Sequence, residues 1–466
     1  MRIYVISSIQ IIKEMKKILT FLFAIQIMSF AMAQGCLPEG ITFHTQAQIN
    51  SFALNYPGCN TIIGNVLISD DGSDNITNLD SLAVLNDVKG DLIISENYDL
   101  IDISGLHNLR YVGGDFSIMF NYQISGLQGL IGIDSIGGNL FIETCNVIPD
   151  LEGLNNLSRI GGNLSIIWNS NLTSLNGLGN LKYIGGGLTL ETNILLTDIS
   201  SLTGLTSLNG DLFIFGNNSL PSLTGLISIT SIEGNFMIGF NESLTNLSGL
   251  DSLFYVSGEF EIDDNYSLIS LAGLGAITNI GAGLVINNNN SLTSLTALDS
   301  LKSAGGLLGI SGNSFLSSLA GLDHIHAGSI TGLLISNNGS LSTCEVKSVC
   351  DYLASTNATV DISNNSAGCN SRQEVEEACH PLSTELMEDA SFSIYPSPAS
   401  TFITIETSSI LDNNKLLILD LTGQEVYCQQ IDRSRMLINI NQLPVGMYLV
   451  KVIGNTTVQI GNFIKE

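Results

Sequence analysis

The sequence predicts a mostly β protein: a β-solenoid with a parallel sheet and small capping helices, followed by a small antiparallel β-sandwich. Three observations predict it. A boundary residue recurs at Gly64, Gly90, Gly114, Gly138, Gly162, Gly186, Gly210, Gly234, Gly258, Ala282, Gly306 and Thr331, and the nine steps from Gly90 to Gly306 are 24 residues each. Within each unit, apolar residues first alternate and then recur at every third place. Beyond residue 380 the period stops and short alternating apolar runs take over.

The unit from Gly162 sets Leu164 and Ile166 two apart, then Leu172, Leu175, Leu178, Leu181 and Ile184 three apart. The unit from Gly90 repeats this with Leu92, Ile94, Leu100, Ile103, Leu106, Leu109 and Val112. A spacing of two is the period of a strand with one buried face. A spacing of three cannot sustain an α-helical stripe, and Gly177 and its equivalents interrupt it. It fits extended or 3₁₀-like turns that return the chain to the next strand. Each unit is thus one coil with seven inward apolar side chains, which only stacked neighbours can bury. About a dozen coils, roughly 4.8 Å apart, give a rod or arc of about 55 Å.

Seven places after the boundary stand Asn97, Asn121, Asn169, Asn193, Asn217, Asn241, Asn265, Asn289 and Asn313. An amide column at a buried turn can bond backbone groups of its own coil and the next. Cys145 takes this place in the coil from Gly138 and reads as a packed free thiol.

Segments such as GNLSIIWNSNLTSLNGLGNLKYIGG resemble the leucine-rich-repeat class, and more closely the receptor L-domain solenoids, over residues 36–380. The resemblance implies a right-handed solenoid with one parallel sheet along its length. The repeat itself occupies residues 64–340, with an N-terminal cap at 34–63 and a C-terminal cap at 341–380. Such a body has open ends that need cover. At the front, Thr45 is placed to cap a helix through Gln46, Ile49, Phe52 and Leu54, with Cys36 bridged to Cys59. At the back, Thr343 is placed to open a helix through Val346, Val349 and Leu353, followed by a strand around Val360 and Ile362. Ser371-Arg372-Gln373-Glu374 then reads as a capping-box start. The four cysteines there allow three pairings. Cys344 and Cys369 hold nearly equivalent places in successive coils, which favours that bridge and leaves Cys350 with Cys379.

Residues 1–33 read as an upstream segment and signal peptide. Met15, Lys16 and Lys17 give a basic start, Ile18 to Phe30 are an apolar run, and Ala31-Met32-Ala33 offers a cleavage site before Gln34. Residues 1–14 precede this better start at Met15. The run is too short to span a bilayer. Gly35-Cys36 allows a lipoprotein reading, but Ala33 stands where such signals want a large aliphatic residue. No transmembrane span is expected in the mature chain. Export makes disulfides reasonable.

Residues 381–390 are polar and acidic, a linker, and 391–466 hold strands at Phe392–Tyr395, Phe402–Glu406, Lys415–Leu421, Met436–Ile440, Met447–Val452 and Val458–Ile464. Pro396, Asn413-Asn414, Thr422-Gly423 and Gly454-Asn455 mark turns between them. This stretch resembles the type A C-terminal sorting domain of the Bacteroidetes type IX secretion system. The matching residues are Tyr395-Pro396-Ser397-Pro398-Ala399, Asp420-Leu421-Thr422-Gly423-Gln424, Leu443 to Lys451 with Gly446 and Tyr448, and Phe463-Ile464-Lys465. Ser397 departs from the usual Asn. The resemblance implies Sec export, passage through the outer membrane by the type IX machinery, and surface attachment or release.

Charge narrows the partners. Acidic residues number 43 against 16 basic, for a net charge of −27, a field that repels nucleic acid. Chemistry is harder to find. His44, His107, His324, His326 and His380 have no nucleophile or carboxylate in a catalytic spacing, and no GxxxxGK[ST] or HExxH occurs. His324 and His326 lie two apart in a turn without further ligands nearby. Glu259, Glu261 and Asp263 alternate outward on one strand, with Asp264 next; at about 6.7 Å per step they are wide for one calcium ion. No metal or cofactor is expected.

Outward strand places should be polar, yet they hold Met119, Phe141, Ile167, Phe213, Phe215 and Met237, with Phe120, Trp168 and Phe240 at the strand ends. Stacking is expected to join these into one apolar strip that binds an extracellular glycan or protein. The plain alternative is that they shield the sheet or pack beneath a loop. The expected function is non-catalytic adhesion or recognition outside the cell. A polysaccharide-degrading enzyme on a β-helical frame and a structural surface component are the rivals.

Overall fold

The computed structural model describes residues 35–355, 358–379, 392–407, 415–421, 423–453 and 458–466. The expected signal segment 1–33 with its cleavage before Gln34, the linker 381–390, and the turn residues Asn413, Asn414, Thr422, Gly454 and Asn455 lie outside them. The chain divides into two compact units between Cys379 and His380.

In the first unit a 14-stranded parallel sheet runs in chain order from Ile41–Phe43 to Val360–Ser363. Its register repeats with the sequence period: Leu164 lies beside Leu188, and Leu188 beside Leu212. The strand residues that alternate inward, and the apolar residues spaced three apart, form one continuous core. In the coil from Gly162 all seven, Leu164 through Ile184, are buried. The spacing of three resolves into short 3₁₀ turns such as Ser104–Leu106 and Thr224–Leu226, where Leu106 N donates to Ile103 O at 3.0 Å. Two-residue strands then stack as well, a six-stranded set from Thr61–Ile62 to Tyr183–Ile184 and a five-stranded set from Ser207–Leu208 to Ser303–Ala304. These short strands are too brief to show an alternation in sequence.

The asparagine column is wholly buried and links each coil to the next. Asn217 Nδ2 donates to Leu190 O of the preceding coil at 2.9 Å and to Phe215 O at 3.2 Å. Its Oδ1 accepts from Asn193 N at 3.2 Å and Asn193 Nδ2 at 3.3 Å. The column continues through Asn338 and Asn365, where the spacing lengthens to 25 and then 27 residues and hides it from a count at fixed period. Cys145 interrupts the column. Its N–H still reaches Asn169 Oδ1 at 2.9 Å, but sulfur replaces the amide oxygen opposite Asn121. Burial pushes this thiol up to about 12, which makes it unreactive.

A second polar ladder, unforeseen from sequence, follows the boundary residue. Asp115 N donates to Asp91 Oδ1 at 2.8 Å, Asn139 N to Asp115 Oδ1 at 2.7 Å and Asn163 N to Asn139 Oδ1 at 2.7 Å. It explains the boundary glycines: a Cβ on Gly162 would overlap the Asn139 amide oxygen.

At the front, Thr45 and Gln48 form a reciprocal capping box over the helix Gln46–Asn50, and Cys36 is joined to Cys59. Phe52 is buried in the following turn, whereas Leu54 is 82% exposed. At the back the bridges are Cys344–Cys369 and Cys350–Cys379. The helix there is Lys347–Leu353 with Val346 at its N-cap, so Thr343 does not open it. Thr343 instead bridges to Ser318, because coil stacking still claims its backbone. In the last helix, Arg372–Cys379, Ser371 Oγ accepts from Glu374 N at 3.2 Å, while the Glu374 carboxylate turns to Gly368 N and Asn370 N.

The second unit packs a three-stranded antiparallel sheet, Phe392–Tyr395, Phe402–Thr407 and Arg435–Asn439, with a four-stranded one, Glu425–Gln430, Lys415–Leu419, Gly446–Ile453 and Val458–Lys465. Ile403, Ile405, Leu416, Ile418, Ile438, Val450 and Phe463 fill the space between. The strand Glu425–Gln430 escaped the sequence reading because it is an exposed edge with almost no apolar alternation.

The amide column yields a paired test. Asn217→Ala removes the amide from Leu190 O and Asn193 N, while Phe215 O keeps its bond from Thr192 N, and should cost roughly 2–4 kcal/mol in urea unfolding. Cys145→Asn restores the missing acceptor and should add about 1 kcal/mol. If the two variants unfold alike, the column is not what ties the coils together.

Candidate binding face and sorting signal

The outward residues of the long sheet form two rows. One row runs Ser117, Phe141, Ser165, Thr189, Phe213, Met237, Glu261 and Val285. The other runs Met119, Glu143, Ile167, Glu191, Phe215, Gly239, Asp263 and Asn287. The expected single apolar strip is therefore corrected. In-register stacking aligns residues of equal rank, so Glu143 separates Met119 from Ile167, Glu191 separates Ile167 from Phe215, and serines flank Phe141. A true cluster remains further along. The Phe213 and Phe215 rings lie 5.3 Å apart, Phe240 is 4.8 Å from Phe215, and Met237 pairs beside Phe213.

The residues just past the strands hold the largest surprise. Glu96, Phe120, Thr144, Trp168, Thr192, Gly216, Phe240, Asp264, Asn288, Gly312, Asn337 and Asn364 all take positive φ, between 52° and 70°. The chain must turn a left-handed corner here to swing the next residue, the column asparagine, inward. Asn and Gly adopt this conformation readily; Phe, Trp and Thr do so at a cost of roughly 1–2 kcal/mol each. Trp168 is 54% exposed, so burial does little to offset that cost, whereas Phe240, 36% exposed, packs against Phe215. The Thr144 hydroxyl, between Phe120 and Trp168 in this row, is buried without a hydrogen-bond partner. The signal was present in sequence as the Asp264, Asn288, Gly312, Asn337 and Asn364 that share this rank.

At the acidic end of the face, burial first and then Glu259 raise Glu261. Burial, then the neighbouring Asp264 and Glu261 carboxylates, push Asp263 up to about 6. Asn288 Nδ2 lies 3.5 Å from its oxygen, and Tyr266 donates to Asp264 at 3.0 Å. His324 Nδ1 lies 3.3 Å from Asp299, while His326 Nδ1 accepts from Gly328 N. Among the described residues no His, Cys, Asp or Glu group of three is placed to hold a metal ion.

In the second unit the motif residues converge on the last strand. Ala399 is buried; its N–H donates to Ile464 O at 2.8 Å and its carbonyl accepts from Glu466 N at 2.9 Å. Ser397 Oγ accepts from Ile464 N at 3.1 Å. The peptide bonds before Pro396 and Pro398 are cis. Tyr395 donates to Glu406 at 2.7 Å. Asp420 closes a turn with Gln424, with Gly423 at φ +83° between them. Gly446 begins a strand in which Tyr448 stacks on Phe463 and donates to Pro444 O at 2.8 Å, and Lys465 is buried. Residues 393–466 match the secretion system C-terminal sorting domain. This sorting-domain match indicates export by the type IX system and contact with its machinery. Residues 58–128 match the receptor L domain, and the same coil continues well past them. No curated protein matches the chain. Among the described residues no helix is long and apolar enough to cross a membrane.

Two outcomes follow. Trp168→Asn relieves the left-handed tryptophan and should raise stability by about 1 kcal/mol in urea unfolding; a loss would show that the ring is a packing element. Asp263 holds its proton more tightly folded than unfolded, so stability falls as pH rises between 3.8 and about 6. Asp263→Asn should therefore raise Tm at pH 7.5 and leave it unchanged at pH 4, as checked by calorimetry.

Proposed function

We propose that this chain is a non-catalytic binding or adhesion protein, exported by the type IX system and displayed on or released from the cell surface. Within residues 1–33, the segment from Met15 to Ala33 serves as its Sec signal, behind the upstream residues 1–14. The face of the long parallel sheet recognises an extracellular glycan or protein. One observation carries this reading: Phe120, Trp168 and Phe240 occupy a corner whose conformation opposes bulky side chains, and Trp168 is exposed there. At Trp168 that strain is not offset by burial, which points to selection for contact with something outside the molecule. The receptor L-domain match supports a surface binding role. An enzyme reading draws on one feature, the raised Asp263 beside Glu261.

The test is a glycan and protein array probed with the purified full chain. Replacing Phe141, Trp168 and Phe213 together by serine should lower the bound signal at least tenfold without unfolding the protein by circular dichroism. Binding that survives the triple change removes the sheet face from the mechanism. Release of reducing sugar from any arrayed polysaccharide would replace recognition by hydrolysis.

A further inference from the structure

The lysines and arginines of the solenoid are confined to one flank, although carboxylates occur on both. None of the fourteen strands of the long sheet contains lysine, arginine or histidine, whereas Glu143, Glu191, Glu259, Glu261, Asp263 and Asp361 all lie in them. The five basic residues between 64 and 340 are Lys89, Arg110, Arg159, Lys182 and Lys302, and each lies in or directly beside a two-residue strand of the other flank. Two of them are held there by aromatic rings: Lys89 lies 4.8 Å from the centre of Tyr111 and Arg159 3.9 Å from that of Tyr183. The long-sheet face is thus free of positive charge, and its carboxylates interleave with aromatic and aliphatic side chains in register. Glu143 lies between Met119 and Ile167, Glu191 between Ile167 and Phe215, and Glu261 beside Met237.

We propose that the occupant of this face is a cationic protein segment whose lysine and arginine side chains alternate with apolar ones. The inference rests on the reading of the sheet face as the binding surface and deepens it. A guanidinium or ammonium group gains twice on such a surface, from a carboxylate on one side and the face of Phe213, Phe215, Trp168 or Phe240 on the other. A neutral glycan would use the rings but leave half-buried Glu143, Glu191 and Glu261 without compensating charge, and an anionic one would be repelled. The coil repeat of about 4.8 Å sets Glu143 and Glu191 roughly 9.6 Å apart, a two-coil step.

The experiment uses the full chain on an array of immobilised 15-residue peptides graded in Lys, Arg and aromatic content, run beside a glycan array. Peptides that mix basic and apolar residues should bind best. The combined Glu143→Gln, Glu191→Gln, Glu261→Gln and Asp263→Asn variant should lose at least tenfold in affinity. A control with Asp80→Asn, Asp134→Asn, Glu233→Gln and Asp299→Asn, which removes the same charge from exposed sites off the sheet, should change it less than threefold. Equal losses from both sets mean general attraction to an acidic protein and overturn the inference. Glycan binding that the aromatic-to-serine variant abolishes, with no cationic-peptide binding, also overturns it while leaving the sheet face as the binding surface. Binding of either kind that ignores both the carboxylate and the aromatic variants defeats the two readings together.

Discussion

Every coil of this solenoid must turn a corner at the end of its strand, and the corner buries backbone groups that have no secondary-structure partner. The inward asparagine resolves this. Its amide donates to carbonyls of its own and the preceding coil and offers its oxygen to the preceding coil's N–H, so each coil completes its neighbour. An apolar core alone would tolerate slippage between coils, because leucine packs against leucine at many offsets. A buried amide with two donors and one shared acceptor does not, since any shift leaves polar groups without partners in a low-dielectric interior.

That fixed register has consequences at the surface. Residues of equal rank are forced side by side, so the outward rows are direct transcripts of the sequence read every 24 residues. Lysine and arginine segregate by rank in the same way, which leaves the long-sheet face with carboxylates and aromatic rings but no basic side chain in its strands. The corner also dictates a left-handed residue immediately before each asparagine. Where that residue is Asn or Gly the corner costs little; where it is Trp or Phe it stores strain on an exposed edge.

The second unit is built on a different principle. Two antiparallel sheets enclose a small apolar core, and the motif residues Ser397, Ala399, Gly446 and Tyr448 meet at the last strand. Its last strand is held in the fold through Ala399 and Ser397.

Much was legible before any coordinates. Apolar spacing disclosed the coil, the boundary glycines its period, and the asparagines its corner, because each is a local demand repeated many times. The caps were legible in kind but not in detail: Thr343 reads as a helix start, yet stacking on Ser318 claims it first. The polar ladder through Asp91, Asp115 and Asn139 and the paired short strands were not legible, since each depends on a partner one coil away and leaves only one or two residues as a trace. The sequence by itself determined that the chain is a stacked β body with a sorting domain behind it, because periodic burial admits no other economical arrangement. Only the tertiary structure decided which outward residues meet, separating Met119 and Ile167 by a carboxylate and joining Phe215 to Phe240, because adjacency across coils is set by register and backbone hand rather than by distance along the chain.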